Sequence, residues 1–78
     1  MQGIIGMIFL FAGNYVPVLH LECNGQLISI TQYSQLYKVI GTNYGGDGVT
    51  TFALPNLTSV LTSAKYVVCF DGYFPTPA

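Results

Sequence analysis

Apolar positions crowd the start of the chain. The stretch Ile4-Ile5-Gly6-Met7-Ile8-Phe9-Leu10-Phe11-Ala12 is nearly continuous, with β-branched and aromatic members and no alternation, the pattern of a strand buried on both faces. Gly13-Asn14 ends it. Between Tyr15 and Leu21 stands Pro17, which removes a ladder hydrogen bond and marks a loop or an edge segment. Asn24-Gly25 separates Leu21-Glu22-Cys23 from Gln26-Leu27-Ile28; both residues tolerate positive φ, so the dipeptide predicts a tight hairpin.

The period then changes. Tyr33, Leu36, Tyr37, Val39 and Ile40 recur at spacings of three and four after Thr31, a good N-cap, and predict a helix from about Thr31 to Ile40. Gly41 is the expected C-cap. From Thr42 to Thr51 there is no period, and Gly45, Gly46 and Gly48 cluster around Asp47, predicting a long loop. Phe52-Ala53-Leu54-Pro55 returns to apolar, with Pro55 again favouring an edge or turn. Polar residues thin the pattern from Asn56 to Ser63, Tyr66 to Phe70 predicts a last strand, and Pro75 and Pro77 predict an extended tail. The expected fold class is α+β: one domain over residues 1–78, a small sheet from the first, hairpin and last segments, one helix packed on it, and a long Gly-rich ordered loop.

Composition sharpens this. A domain of 78 residues buries only about 60% of its unfolded surface and usually needs a disulfide, a metal or a partner chain. Only 6% of residues are charged, against about 25% in an average soluble domain. They are Glu22, Lys38, Asp47, Lys65 and Asp71, so neutral polar, tyrosine and aliphatic groups must make most of the surface. Such a surface associates readily, and the chain is expected to be covered by neighbouring protein subunits. Two basic residues and a net charge of −1 exclude the electrostatic footprint of nucleic-acid binding. The opening apolar run lacks a preceding Lys or Arg, unlike a secretory signal, and falls short of the roughly 20 apolar residues of a membrane span. Cys23 and Cys69 are candidates for a disulfide, worth roughly 3 to 4 kcal/mol on the chain-entropy model. The alternative is two small buried hydrophobes.

Few residues offer chemistry. His20 and Glu22 share a face of any strand that holds them, yet a base needs a nucleophile and a ligand needs companions. Asp47 among glycines evokes a calcium loop, but the alternate positions Gly45, Val49 and Thr51 lack the repeated oxygen side chains of one. Asp47 is better read as bonding its own loop backbone. A phosphate loop is excluded, since no Lys-Ser/Thr follows the glycines. Six tyrosines and five phenylalanines admit a glycan-binding reading, but Phe9, Phe11, Phe52 and Phe70 all sit inside apolar runs and point to core and subunit packing. No catalytic group, cofactor or metal is expected.

Four ordered blocks then stand out: Phe11-Ala12-Gly13-Asn14; Cys23-Asn24-Gly25-Gln26-Leu27; Leu36 through Gly41; and Tyr44-Gly45-Gly46-Asp47-Gly48 with Thr50-Thr51-Phe52-Ala53-Leu54-Pro55. Together they resemble the phage tail-collar domain, and most closely its bacterial branch, the microcystin-dependent proteins. The resemblance covers roughly residues 3 to 57, with Tyr66 to Pro75 similar to the short terminal strand of that branch. Two departures stand against it. Val18, Leu19 and His20 replace the Arg-Gly-Trp that usually follows the first proline, and Asn56 to Val60 replace an Asp-Leu and Arg-Gly-Arg segment. The long glycine-rich region of the family is nearly absent, so the chain resembles a minimal version. The resemblance implies a structural or adhesive subunit of a tail fibre or cell-surface appendage, placed on a virion tail, at a cell surface or outside the cell. It singles out Asn24, Gly25, Tyr44, Gly45, Gly46, Asp47, Gly48 and Phe52 as shape-defining residues. The competing class is a small secreted accessory module attached to one large bacterial surface protein, or a glycan binder.

Overall fold

A computed structural model of the chain describes residues 3–58 and 64–76. Its elements, in chain order, are β1 (Gly3–Ile4), β2 (Ile8–Phe11), β3 (His20–Glu22), β4 (Leu27–Ser29), α1 (Ser34–Ile40), β5 (Thr51–Ala53), β6 (Lys65–Cys69) and β7 (Gly72–Tyr73). The α+β expectation is thereby corrected. Among the described residues the fold is mostly β, with three small sheets instead of one and a single helix of seven residues. β6 is the centre of a three-stranded antiparallel sheet, ordered β2-β6-β3. β4 pairs antiparallel with β5, and β1 runs parallel to β7.

The opening run is not one strand. It breaks between Ile4 and Ile8, where Met7 N–H donates to Ile4 O (3.0 Å) and Gly6 takes φ 90°, the third position of a turn that needs a positive φ. Gly6 and Met7 together oppose Cys69: Gly6 N–H donates to Cys69 O (2.9 Å) and Cys69 N–H to Met7 O (3.0 Å). This is a G1-type bulge fused to the turn. It turns Ile5 into the core, where it is fully buried. Within the single chain the run is not covered on both faces, since Leu10 is 40% and Met7 43% exposed.

The predicted hairpin at Asn24-Gly25 does not form. β3 pairs with β6 and β4 with β5, so the dipeptide joins two sheets. Its real partner lies far along the chain. Asn24 bridges Asn56, Gly25 N–H donates to Pro55 O, Leu54 N–H to Gln26 O, and Leu57 N–H to Cys23 O, all in register with Leu27↔Ala53 and Ile28↔Phe52. Residues 23–29 and 51–57 thus form one antiparallel ribbon, at whose end α1 and the Gly-rich loop are inserted.

The helix starts later than its period predicts. Thr31 does not cap it; its hydroxyl meets Ser29 Oγ at 2.9 Å, while Ser29 Oγ also accepts from Gln32 N–H (3.3 Å). Residues 30–33 are therefore held in a turn by Ser29, and Tyr33 occupies the cap position without a side-chain bond. Gly41 closes the other end as expected, donating its N–H to Tyr37 O.

Ile5, Cys23, Ile28, Leu36, Phe52, Leu54 and Val68 make the main core. Full burial of side chains as large as Leu36 and Phe52 is worth about 1.5 to 3 kcal/mol each. Phe9 and Phe11 lie outside that cluster, half-buried on the opposite face of β2. There Phe9 meets the His20 ring edge-on at 5.2 Å and Phe11 meets Tyr15 at 5.4 Å. Lys65 Nζ donates to Gly13 O (3.3 Å), which ties the segment after β2 to the end of β6, and Val67 is completely buried. Among the described residues no helix is long and apolar enough to cross a membrane. The expected thinning of the pattern at Asn56 to Ser63 lies outside the described residues from position 59 on, as does Pro77 of the expected tail.

Candidate functional site

Outside the sheets, the loop at Asp47 is held by a dense set of its own hydrogen bonds. Its carboxylate Oδ1 accepts the backbone N–H groups of Val49 (2.8 Å), Thr50 (2.9 Å) and Thr51 (2.9 Å), and Oδ2 accepts the Thr50 hydroxyl (3.0 Å). The N–H of Thr51, then those of Val49 and Thr50, hold this carboxyl well below the usual carboxylate range although it is fully exposed. Oδ1 is saturated by its donors, which leaves little acceptor capacity for a cation. The carboxylate therefore serves as the loop's own anchor.

Two neighbours complete the frame. Tyr37 OH donates to Gly48 O at 3.4 Å, and its ring lies edge-on to Phe52 at 5.3 Å. Ala53 N–H donates to Gly45 O and Gly48 N–H to Thr51 O, both at 3.0 Å. Gly46 fits the gap between loop and strand because it has no side chain. At φ 95°, a Cβ there would lie 2.4 Å from Phe52 Cα and 2.7 Å from Thr51 O. The loop thus sits against the backbone of the residue whose ring fills the core.

The structure brings Gly45, Gly46, Asp47, Gly48 and Phe52 together, and separately zips Asn24 and Gly25 to Pro55 and Asn56. Tyr44 stands at the loop's exposed edge. Phe9 and Phe11 belong to the far face of the β2-β6-β3 sheet. Thr50 and Thr51 stood in the fourth block and Tyr37 only among the apolar helix positions, and their role of holding the loop was not read from the sequence; the spacing of Asp47 from Thr50 and Thr51 was the available signal.

Cys23 and Cys69 are buried free thiols, and the disulfide alternative is corrected by register. Cys69 opposes His20, while Cys23 N–H bonds Tyr66 O, three residues along β6. That offset is about 10 Å along the strand and places the two on opposite faces, beyond the reach of a disulfide. Burial, with the Glu22 charge beside it, pushes the Cys23 thiol up to about 11. Cys69 Sγ donates to Asp71 O at 3.0 Å.

His20 is tied locally. Its Nδ1 lies 2.7 Å from Val18 O, and since a carbonyl only accepts, Nδ1 carries the proton. Among the described residues no group of three or more His, Cys, Asp and Glu is placed to hold a metal ion. Within the same residues every buried side-chain nitrogen and oxygen has a partner.

The geometry defines a class: a small β-rich domain whose Asp47 loop is bonded to its own backbone. The family model of the phage tail collar domain matches residues 6–61, and the chain belongs to that family. No curated protein and no solved structure matches it.

Proposed function

We propose that this chain is a non-catalytic structural and interaction subunit of a phage-tail-like or bacterial cell-surface assembly, related to the microcystin-dependent branch of its family. The observation that carries this is the surface. Large apolar side chains stand in solvent, Val18 at 83%, Val49 at 79% and Tyr73 at 66% exposure among them, on a chain with five charged residues. Exposure on this scale marks surfaces that other proteins cover. The Asp47 loop and the 23–57 ribbon supply fixed shape, and the exposed residues supply contact. Its working place is then a virion tail or another exposed surface, with protein subunits as partners.

The native mass of the complex purified from its source tests this. A symmetric oligomer containing several copies is expected. One copy attached to a single large chain would support the accessory-module alternative, and a free monomer that binds only a glycan would refute the subunit reading.

A further inference from the structure

The β2-β6-β3 sheet has two edges, and the protein treats them differently. On β6, Cys69 N–H bonds toward β2 while Phe70 N–H bonds to Leu19 O and Tyr66 O accepts from Cys23 on the β3 side. In an antiparallel ladder these directions alternate. The pairs Phe9↔Val67 and Phe11↔Lys65 are therefore the hydrogen-bonded ones, and the N–H and C=O of Ile8 and Leu10 face away from the sheet.

The β3 edge is closed by its own surroundings. His20 N–H donates to Pro17 O (3.2 Å), and Glu22 O accepts both Asn24 N–H and Gln26 Nε2 at 3.0 Å. Glu22 also sets a charge there, a common protection of edges. At β2, among the described residues, no backbone group bonds to the outward groups of Ile8 or Leu10. No Asp, Glu, Lys or Arg occurs before Glu22.

We propose that the outer edge of β2 pairs antiparallel with β2 of a second copy of this chain, about a two-fold axis at Phe9. With Ile8 opposite Leu10 of the second copy, all four outward groups of each strand are paired, and two three-stranded sheets join into one of six. The bulge at Gly6-Met7 limits the edge at one end and Gly13-Asn14 at the other, so its length matches a copy of itself. Neutrality removes the repulsion that would otherwise oppose self-pairing. Leu10, 40% exposed, is covered by the pairing, on the same face as Ile8 of the second copy.

The proposal rests on the subunit reading above, and its test separates the two. Sedimentation equilibrium of the 78-residue chain is run with amide hydrogen exchange across a concentration series. A doubled mass is expected, with exchange at the Ile8 and Leu10 amides slowed at least tenfold as it forms. A mixture of labelled and unlabelled copies should give a cross-peak between the Phe9 Hα protons of the two. Leu10→Pro removes one outward donor at an edge position that tolerates proline, and Leu10→Lys adds a charge at an exposed side chain. Both should return the monomer with the fold's circular dichroism intact, whereas Val18→Lys should leave the mass doubled. A monomer at all concentrations, or an oligomer whose Ile8 and Leu10 amides exchange freely, overturns the proposal. If such a monomer still enters the source assembly, self-pairing fails and the subunit reading stands.

Discussion

Gly46→Ala, compared with Gly41→Ala, isolates the close approach of the Gly-rich loop to β5. Both glycines have positive φ, 95° and 56°, so alanine pays a conformational cost of about 1 to 3 kcal/mol at either site. Loss of glycine's freedom in the unfolded chain offsets about 0.4 to 1 kcal/mol of it. The surroundings then separate the two. A Cβ at Gly41 meets nothing within 4 Å, whereas one at Gly46 lies 2.4 Å from Phe52 Cα and 2.9 Å from Phe52 N. These are backbone atoms of a buried strand, so relief requires loop and strand to part by about 1 Å to reach ordinary carbon contact. Separation weakens the Ala53–Gly45 and Gly48–Thr51 hydrogen bonds, each worth about 0.5 to 1.5 kcal/mol, and begins to unseat Phe52. An excess loss of about 2 kcal/mol or more is expected for Gly46→Ala over Gly41→Ala, combining those bonds with part of the Phe52 packing. A domain of this size is stable by about 4 to 12 kcal/mol in total, so urea unfolding resolves the difference. Two variants within about 0.5 kcal/mol of each other, the spread of ordinary surface changes, would refute the close-approach argument. The bulkier Gly46→Val should be worse than Gly46→Ala.

The Asp47 carboxyl is held well below the ordinary value of an aspartate, so the unfolded chain binds the proton more readily and this contribution is present above about pH 4 and lost as pH falls further. Melting temperature followed from pH 6 to pH 2 should drop, and Asp47→Asn should flatten that drop; an unchanged profile would remove the anchor role. Calcium or a chelator should leave the melting temperature unmoved, because Oδ1 is already saturated, and a rise with calcium would refute that. Iodoacetamide at pH 8 should leave Cys23 unmodified until the chain unfolds, and a reducing agent should not change stability. Mass spectrometry of the alkylated protein reads the first, and a disulfide found in the native protein would overturn the register argument.

Sequence patterning located the apolar segments correctly but not their partners. Ile4 to Ala12, Leu27-Ile28, Phe52-Ala53 and Tyr66 to Phe70 all supply strand residues. The break in the first was visible as the isolated Gly6, a bulge signal inside a strand pattern. The hairpin expectation failed because Asn24-Gly25 specifies only a local backbone angle, which Gly25 does adopt at φ 81°. Pairing was decided by Ile28 and Phe52, whose facing side chains enter the core together, and such distant choices leave no local mark. The helix lost its first turn to Ser29, whose competing bonds have no periodic signature. At the candidate site, the self-bonding of Asp47 was readable from residue type, whereas the Gly46 contact with Phe52 required the strand to be in place. The blocks Cys23 to Leu27 and Thr50 to Pro55, which carried the family resemblance, turn out to be the two sides of one ribbon.

The central position of β6 governs when this protein can fold. Among the described residues β2 and β3 pair only with β6, and β1 only with β7, so residues 3–22 wait for residues 65–73. At about 5 to 20 residues per second, ribosomal synthesis leaves that gap open for roughly 2 to 9 s. Throughout it, an uncharged Ile-Phe-Leu-Phe strand is exposed before its sheet exists, long enough for collapse or association with other chains. Truncation before β6 therefore does more than remove one strand: it leaves residues 3–22 without a folded state to enter.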